Sequence, residues 1–238
     1  MRKALTLIFL LALLYLPETG AHAQDKGLMA SYGGATFRMD DLKYFQEYIL
    51  STYPVEGKII SSFPPYPSAS VSFFKQWFPQ VRIGAGYAYT STGGKSDYTD
   101  YSGNIHTTIM AASHRVGAFV SYTVLGNDHF DLSLFGRLDA NLTRVEVSSS
   151  IYAGGYSNAL LNEYRSISPN ASTGLELTYS FKDFAIGMDG GYLVDFPGDL
   201  TDNERDSKLY DPVDGERILT SDWTGWRASI KVIFWLNF

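Results

Sequence analysis

The sequence holds no cysteine, which excludes a disulfide framework, a thiolate metal site and a lipid-anchored amino terminus. It is also short of charge. Only 18% of residues are charged, and the formal net charge is −6 with no basic stripe along the chain. Nucleic acid is therefore not an expected partner, because nothing is placed to neutralise phosphates. A third absence is a long apolar run. The run over 4–16, broken only by Thr6, is about a dozen residues, where a membrane helix needs roughly 20.

That short run has its own meaning. Arg2 and Lys3 precede it, and Ala21-His22-Ala23 follows with small residues at the two positions a signal peptidase reads. Residues 1–23 are expected to be a cleaved export signal, and residues 24–238 the mature protein. What the chain has in excess fits export to a membrane: 17 Tyr, 15 Phe and 22 Gly suit a wall with apolar residues toward lipid and small or polar ones within.

The carboxy-terminal stretch decides between a soluble protein and a barrel. Phe238, Leu236, Phe234, Val232, Ile230, Ala228 and Trp226 share one face; Asn237, Trp235, Ile233, Lys231, Ser229, Arg227 and Gly225 share the other. Period-2 alternation runs unbroken to the last residue, well beyond the roughly 5–6 residues of an ordinary strand. A barrel uses such a strand to close against its first strand and leave no edge.

Turn signals cut the rest into seven more strands, near 27–37, 68–77, 81–92, 103–125, 129–147, 169–181 and 184–196, with the last at 223–238. Connections after the second, fourth and sixth are tight, as at Phe78-Pro79-Gln80, Gly126-Asn127-Asp128 and Lys182-Asp183. The others are long, the pattern of periplasmic turns and extracellular loops. The expectation is an all-β, eight-stranded antiparallel transmembrane β-barrel. Ten strands is the alternative, if the long fourth strand is two or the first loop hides a pair. A short helix is expected in the first extracellular loop. Asp40 or Asp41 would cap it, Leu42, Phe45 and Ile49 recur at helical spacing, and Pro54 would end it.

In signal peptide, strand count and loop asymmetry the chain resembles the small outer-membrane barrels, the group of OmpX, OmpW and the OmpA membrane domain. Its end resembles their carboxy-terminal assembly signal through the terminal aromatic Phe238, the hydrophobic Leu236 and the polar Lys231, departing at Ile233 where glycine is common. The resemblance implies the cell outer membrane of a Gram-negative envelope, contact with its lipid and lipopolysaccharide, delivery by the barrel-assembly machinery and a monomer. With nothing after Phe238, it implies no periplasmic peptidoglycan-binding domain. It implies no cofactor and names no function.

Alternation turns ten charges inward: Arg82, Arg115, Arg137, Arg227 and Lys231 against Asp131, Asp139, Glu176, Asp189 and Asp195. An eight-strand interior is just wide enough for side chains to fill it. The equal numbers are therefore expected to pair as a structural plug, or alternatively to line a gated path. The acidic last loop, 197–222, matches no calcium-loop spacing, so no metal site is assigned. His106 and His114 share the lipid-facing side of their strand, so at least His114 is poorly placed as a general base for a site in the barrel mouth, and no nucleophile motif accompanies them. These features favour a small closed barrel with a structural or surface-interaction role. A barrel that binds or passes a small molecule is the alternative, and an outer-membrane lipid-modifying enzyme stands third.

Overall fold

A computed structural model describes residues 26–52, 57–101, 103–153, 156–202 and 207–236. The expected export signal over 1–23, Pro54 and the terminal Phe238 lie outside the described residues. The elements are β1 (Lys26–Ala35), α1 (Asp40–Ser51), β2 (Lys58–Ser62), β3 (Tyr66–Phe78), β4 (Val81–Asp100), β5 (Gly103–Gly126), β6 (Phe130–Ala153), β7 (Tyr156–Ser180), β8 (Phe184–Asp195), β9 (Thr201–Asp202) and β10 (Gly225–Trp235).

Eight strands form a closed antiparallel ring in the order β4-β3-β1-β10-β8-β7-β6-β5, with β5 returning to β4. Closure comes from β1 against β10, in register from Gly27 opposite Trp235 to Ala35 opposite Arg227. At the level of the closed ring the strands thereby have neighbours on both sides, the condition for crossing lipid without an edge. No described helix is long and apolar enough to cross a membrane. The ten-strand alternative does not hold: the long fourth strand is a single strand, and the first loop holds one short strand outside the ring, β2, paired with the far end of β4, while β9 in the last loop pairs with β7.

The outer face shows where lipid lies. Val116, Val120, Leu134, Leu138, Leu142, Leu175, Ile186, Ile230 and Phe234 are all exposed there, an apolar band that only a membrane satisfies. Aromatics border it. Phe130, Tyr179, Phe181 and Phe184 contact one another at the short-turn end, and Tyr192 meets Trp226 edge-on toward the other. From Phe184 to Tyr192 the strand has nine residues, within the roughly 9–11 that a tilted transmembrane strand needs. The chain is an outer-membrane β-barrel.

The wall is lopsided. The strands β1, β3, β8 and β10 have 10 to 13 residues, enough to span, whereas β4 to β7 have 20 to 25. The segments read as long loops after the third and fifth strands are thus mostly strand. The β4–β5 and β6–β7 hairpins continue their ladders to Asp100 opposite Gly103 and Ala153 opposite Tyr156. On β6 the outward side changes from Leu142 to Arg144, which pairs with Glu146 and Glu163 at 2.7 Å each. Such an ion cluster belongs in water, so the membrane ends between these residues.

This orientation has a direct check. A protease-site tag inserted at Gly215, in the exposed part of the last long loop, should be cut on intact cells. One at Asn127, in a short turn, should be cut only after the outer membrane is permeabilised. The reverse pattern would invert the barrel.

Candidate functional site: a crossed lumen beneath an extracellular cap

The inner face repeats the outer logic in reverse. Within the membrane span it mixes polar groups with a small apolar cluster of Phe74, Ala185 and Ile233, and all ten charges read as inward sit on it: Arg82, Arg115, Arg137, Arg227, Lys231, Asp131, Asp139, Glu176, Asp189 and Asp195 occupy inward positions of β4, β5, β6, β7, β8 and β10. Their pairing is not one to one.

Glu176 on β7 is the centre of the lower layer. Its Oε1 accepts from Arg82 Nη2 on β4 at 2.8 Å and its Oε2 from Lys231 Nζ on β10 at 2.9 Å. Thr178 Oγ1 adds a third donor at 3.1 Å. Lys231 also reaches Asp189 Oδ2 at 2.7 Å, and Ser229 donates to the same oxygen at 2.9 Å. Three strands spaced round the ring are thus tied across the lumen through one buried carboxylate. Apolar faces back the cations, with Arg82 6.0 Å from the Phe74 ring centre and Lys231 5.9 Å from that of Phe135.

The upper layer is unequal. Arg137 Nε donates to both oxygens of Asp139, at 2.6 and 2.9 Å, and Arg115 lies 4.0 Å from the same carboxylate. Gly117 stands opposite Asp139 in the β5–β6 register. A Cβ there would collide with the Asp139 side chain and backbone, so the glycine makes the room. Arg227 finds no partner among the described residues, and Asp131 enters no ion pair there. The expected balance fails because Glu176 takes two cations and Asp139 serves another two. Asp195, instead of meeting a cation, joins a chain of neutral donors.

That chain seats the roof of the lumen. Ser113 donates to Asn141 at 2.6 Å, Asn141 reaches Thr143 and Ser168, Ser168 donates to Asp195 at 2.9 Å, and Asp195 accepts from the Trp223 backbone N–H at 3.2 Å. Trp223 Nε1 returns to Thr143 Oγ1 at 2.8 Å. The sequence reading placed Trp223 at the start of the last strand. It lies instead in the roof, and β10 begins at Gly225.

Above this chain the barrel mouth is filled. Phe37, Met39, Leu42, Leu193, Leu200, Leu209, Leu219 and Trp223 pack on Ile109, Ala111, Val145 and Val147 of the tall wall, with Phe45 and Ile49 of α1 at the margin. Phe37 meets Trp223 edge-on at 5.2 Å. Helix α1 is therefore part of a plug. Its expected aspartate cap is absent. The N-cap is Met39, in a left-handed conformation at φ 47°, and its N–H donates to Asp222 O at 3.1 Å. Asp41 is otherwise engaged, accepting from Thr220 N at 2.9 Å, from the Thr220 hydroxyl at 2.8 Å and from Arg217. On the far side Gln46 donates to Ser61 O at 2.9 Å and Ser96 Oγ at 3.0 Å. Gly94 permits this approach, since a Cβ there would lie 2.5 Å from the Gln46 amide.

The last loop completes the cap. Asp211 accepts from Val213 N–H at 2.9 Å and from the Tyr44 hydroxyl at 3.3 Å. Its carboxyl is held below the usual range, first by the Val213 N–H, then by Asp214 N–H, the Tyr44 hydroxyl and Arg217. The Tyr44 phenol is pushed up by desolvation and by the Asp211 charge. Lys208 pairs with Asp199 at 2.7 Å. Among the described residues no three acidic or histidine side chains converge on a point where a metal could sit.

The histidines lie elsewhere. His106 Nδ1 contacts Asp97 and its Nε2 contacts Thr108 Oγ1 at 3.0 Å, exposed near the β4–β5 tip. His114 Nδ1 contacts the Tyr87 hydroxyl at 2.7 Å on the outer face, while Ser113 points into the lumen.

Sequence reasoning missed the cap residues of the wall, although a signal for them exists. On β6 the apolar phase is even through Leu138, Ala140 and Leu142, then odd at Val145 and Val147. On β5 it is even from Val120 down to Val116 and odd at Ala111 and Ile109. With no bulge between, this flip marks the level where lipid outside gives way to a packed core inside.

No family model and no curated protein matches the sequence. Among solved structures the chain is similar to Neisserial surface protein A, at 14% identity and a TM-score of 0.36, over 92% of this chain and 100% of that one. It is also similar to Ail, the attachment invasion locus protein of Yersinia pestis, at 11% identity and 0.37, over 89% and 97%. The outer membrane protein OprG from Pseudomonas aeruginosa is similar at 11% identity and 0.46, over 92% and 99%.

Glu176→Gln tests the lower layer. It keeps the shape but leaves Arg82 and Lys231 buried without their shared charge, and removing one partner from such a group costs about 3–5 kcal/mol. Urea unfolding in detergent micelles should show that loss. An unchanged midpoint would mean the layer does not hold the lumen.

Proposed function

We propose that this protein is a small, closed, monomeric outer-membrane barrel that serves envelope structure or surface interaction through its extracellular cap. The supporting observation is closure at two levels. A packed apolar plug fills the mouth, and below it one carboxylate cross-links β4, β7 and β10 through the centre. A water-filled path would have to break both. The outward apolar band meets lipid all round, which suits a monomer bordered by lipid and lipopolysaccharide. During biogenesis the assembly machinery would read Lys231, Leu236 and Phe238. Leu236 already extends the closing ladder, its N–H donating to Lys26 O at 2.9 Å.

The second reading, a barrel that binds or passes a small molecule, is favoured by one observation, a cavity between the two lumen layers lined by arginines and serines as well as apolar side chains. The enzyme reading has less behind it. The one described histidine–carboxylate pair, His106 with Asp97, faces outward beside a threonine hydroxyl.

Purified protein in a planar bilayer should show no steady conductance. Long-lived, ion-selective openings in the parent protein would put the channel reading first, with Arg137, Glu176 and Asp189 as the residues to examine for selectivity.

A further inference from the structure

Between the two lumen layers lies a cavity of about 110 Å³, several times the roughly 10–15 Å³ that a single water requires. Arg115, Arg137 and Arg227 line it from β5, β6 and β10. Their charges are poorly met. Asp139 takes Arg137 in two hydrogen bonds and lies 4.0 Å from Arg115. The three guanidinium nitrogens of Arg227 are shielded from solvent with no hydrogen-bond partner among the described residues, and Arg115 Nε is in the same position. Asp195 makes no direct ion pair with them and acts on Arg115 and Arg227 only from a longer distance, while its oxygens accept from Ser168 and the Trp223 N–H. Glu176 and Asp189 also border the cavity, but Arg82 and Lys231 already occupy them. The local balance is therefore positive.

A guanidinium cannot shed its proton in a protein, and a buried cation without a partner is strongly disfavoured. Its planar fork of donors matches the oxygens of a carboxylate, phosphate or sulfate. Hydroxyls complete the wall, including Ser31, Ser70 and Ser172. We propose that this cavity binds a small oxyanion, held by the fork of Arg227 with Arg115 and Arg137 beside it. The cap lies above the site and the Glu176 layer below it, and the anion acts there as a structural counter-ion. The proposal stands apart from the closed-barrel reading, because a conducting parent would leave the charge imbalance in place.

The test is refolding of the full chain from urea into detergent micelles in chloride, with phosphate, sulfate or acetate titrated at matched ionic strength. The readout is the thermal unfolding midpoint. A saturable rise of several degrees with at least one oxyanion is expected, and the three arms separate tetrahedral from carboxylate ligands. Sulfate and phosphate stabilise folded proteins generally through exclusion from their surfaces, so variants decide the outcome. Arg227→Met should abolish the saturable component. Arg227→Lys keeps the lumen charge, and with it the folded barrel, but loses the fork, so its half-saturation should move at least tenfold higher. Absence of any saturable rise, or the same half-saturation in parent and Arg227→Lys, would overturn the proposal.

Discussion

Glu176 has two carboxylate oxygens and gives one to each of two cations, Arg82 from β4 and Lys231 from β10. These side chains converge from three strands that are not neighbours in the ring, and the interior of an eight-strand barrel is narrow enough for them to meet directly. Once the lumen carries charge, that charge must be matched within a few ångströms. A well-packed apolar core could be as stable as such a cluster. Removing one member is what costs, because it strands the others. The cluster therefore restrains the relative height of β4, β7 and β10, since a one-residue slip would turn each of these side chains into lipid.

The cap rests on the same arithmetic at another level. Past Leu142 and Val116 the wall leaves the membrane, and its outward side becomes polar, as at Arg144. Four tall strands then have an inner face with no lipid-imposed reason to be polar, and Ile109, Ala111, Val145 and Val147 make it apolar. The four short strands supply the cover from their long connections: α1 from one side and the segment from Leu200 to Trp223 from the other. The two covers are joined by Asp41 to Thr220 and Arg217 and by Tyr44 to Asp211. An asymmetric wall and two long connections are thus a single device, a small soluble core built on top of a barrel.

Much of this was legible in the residues alone. Strict alternation placed all ten inward charges, because the lipid face of a membrane strand must be apolar and the phase cannot drift without exposing charge. The closing strand was legible for the same reason. The pairing was not, since equal numbers of acids and bases say nothing about height in the lumen, and the count hides Arg227 among three arginines and one aspartate. The upper parts of the tall hairpins were read as loops because Gly93, Gly94, Ser148 and Ser149 look like loop residues, although above the membrane a strand needs no outward apolar side. Trp223 resembled a strand residue because it precedes one. Only the chain's path through the mouth shows it as the roof.

The central claim, that one carboxylate joins opposed strands through two cations, is tested most directly by a double-mutant cycle between Arg82→Met and Lys231→Met, read by urea unfolding in micelles. Each single variant leaves Glu176 with its other cation, whereas the double variant leaves it with neither. The combined destabilisation should therefore exceed the sum of the single effects by about 1 kcal/mol or more, inside the 0.5–3 kcal/mol range of residues sharing one network. Additivity within roughly 0.3–0.5 kcal/mol, as for independent sites, would contradict the account.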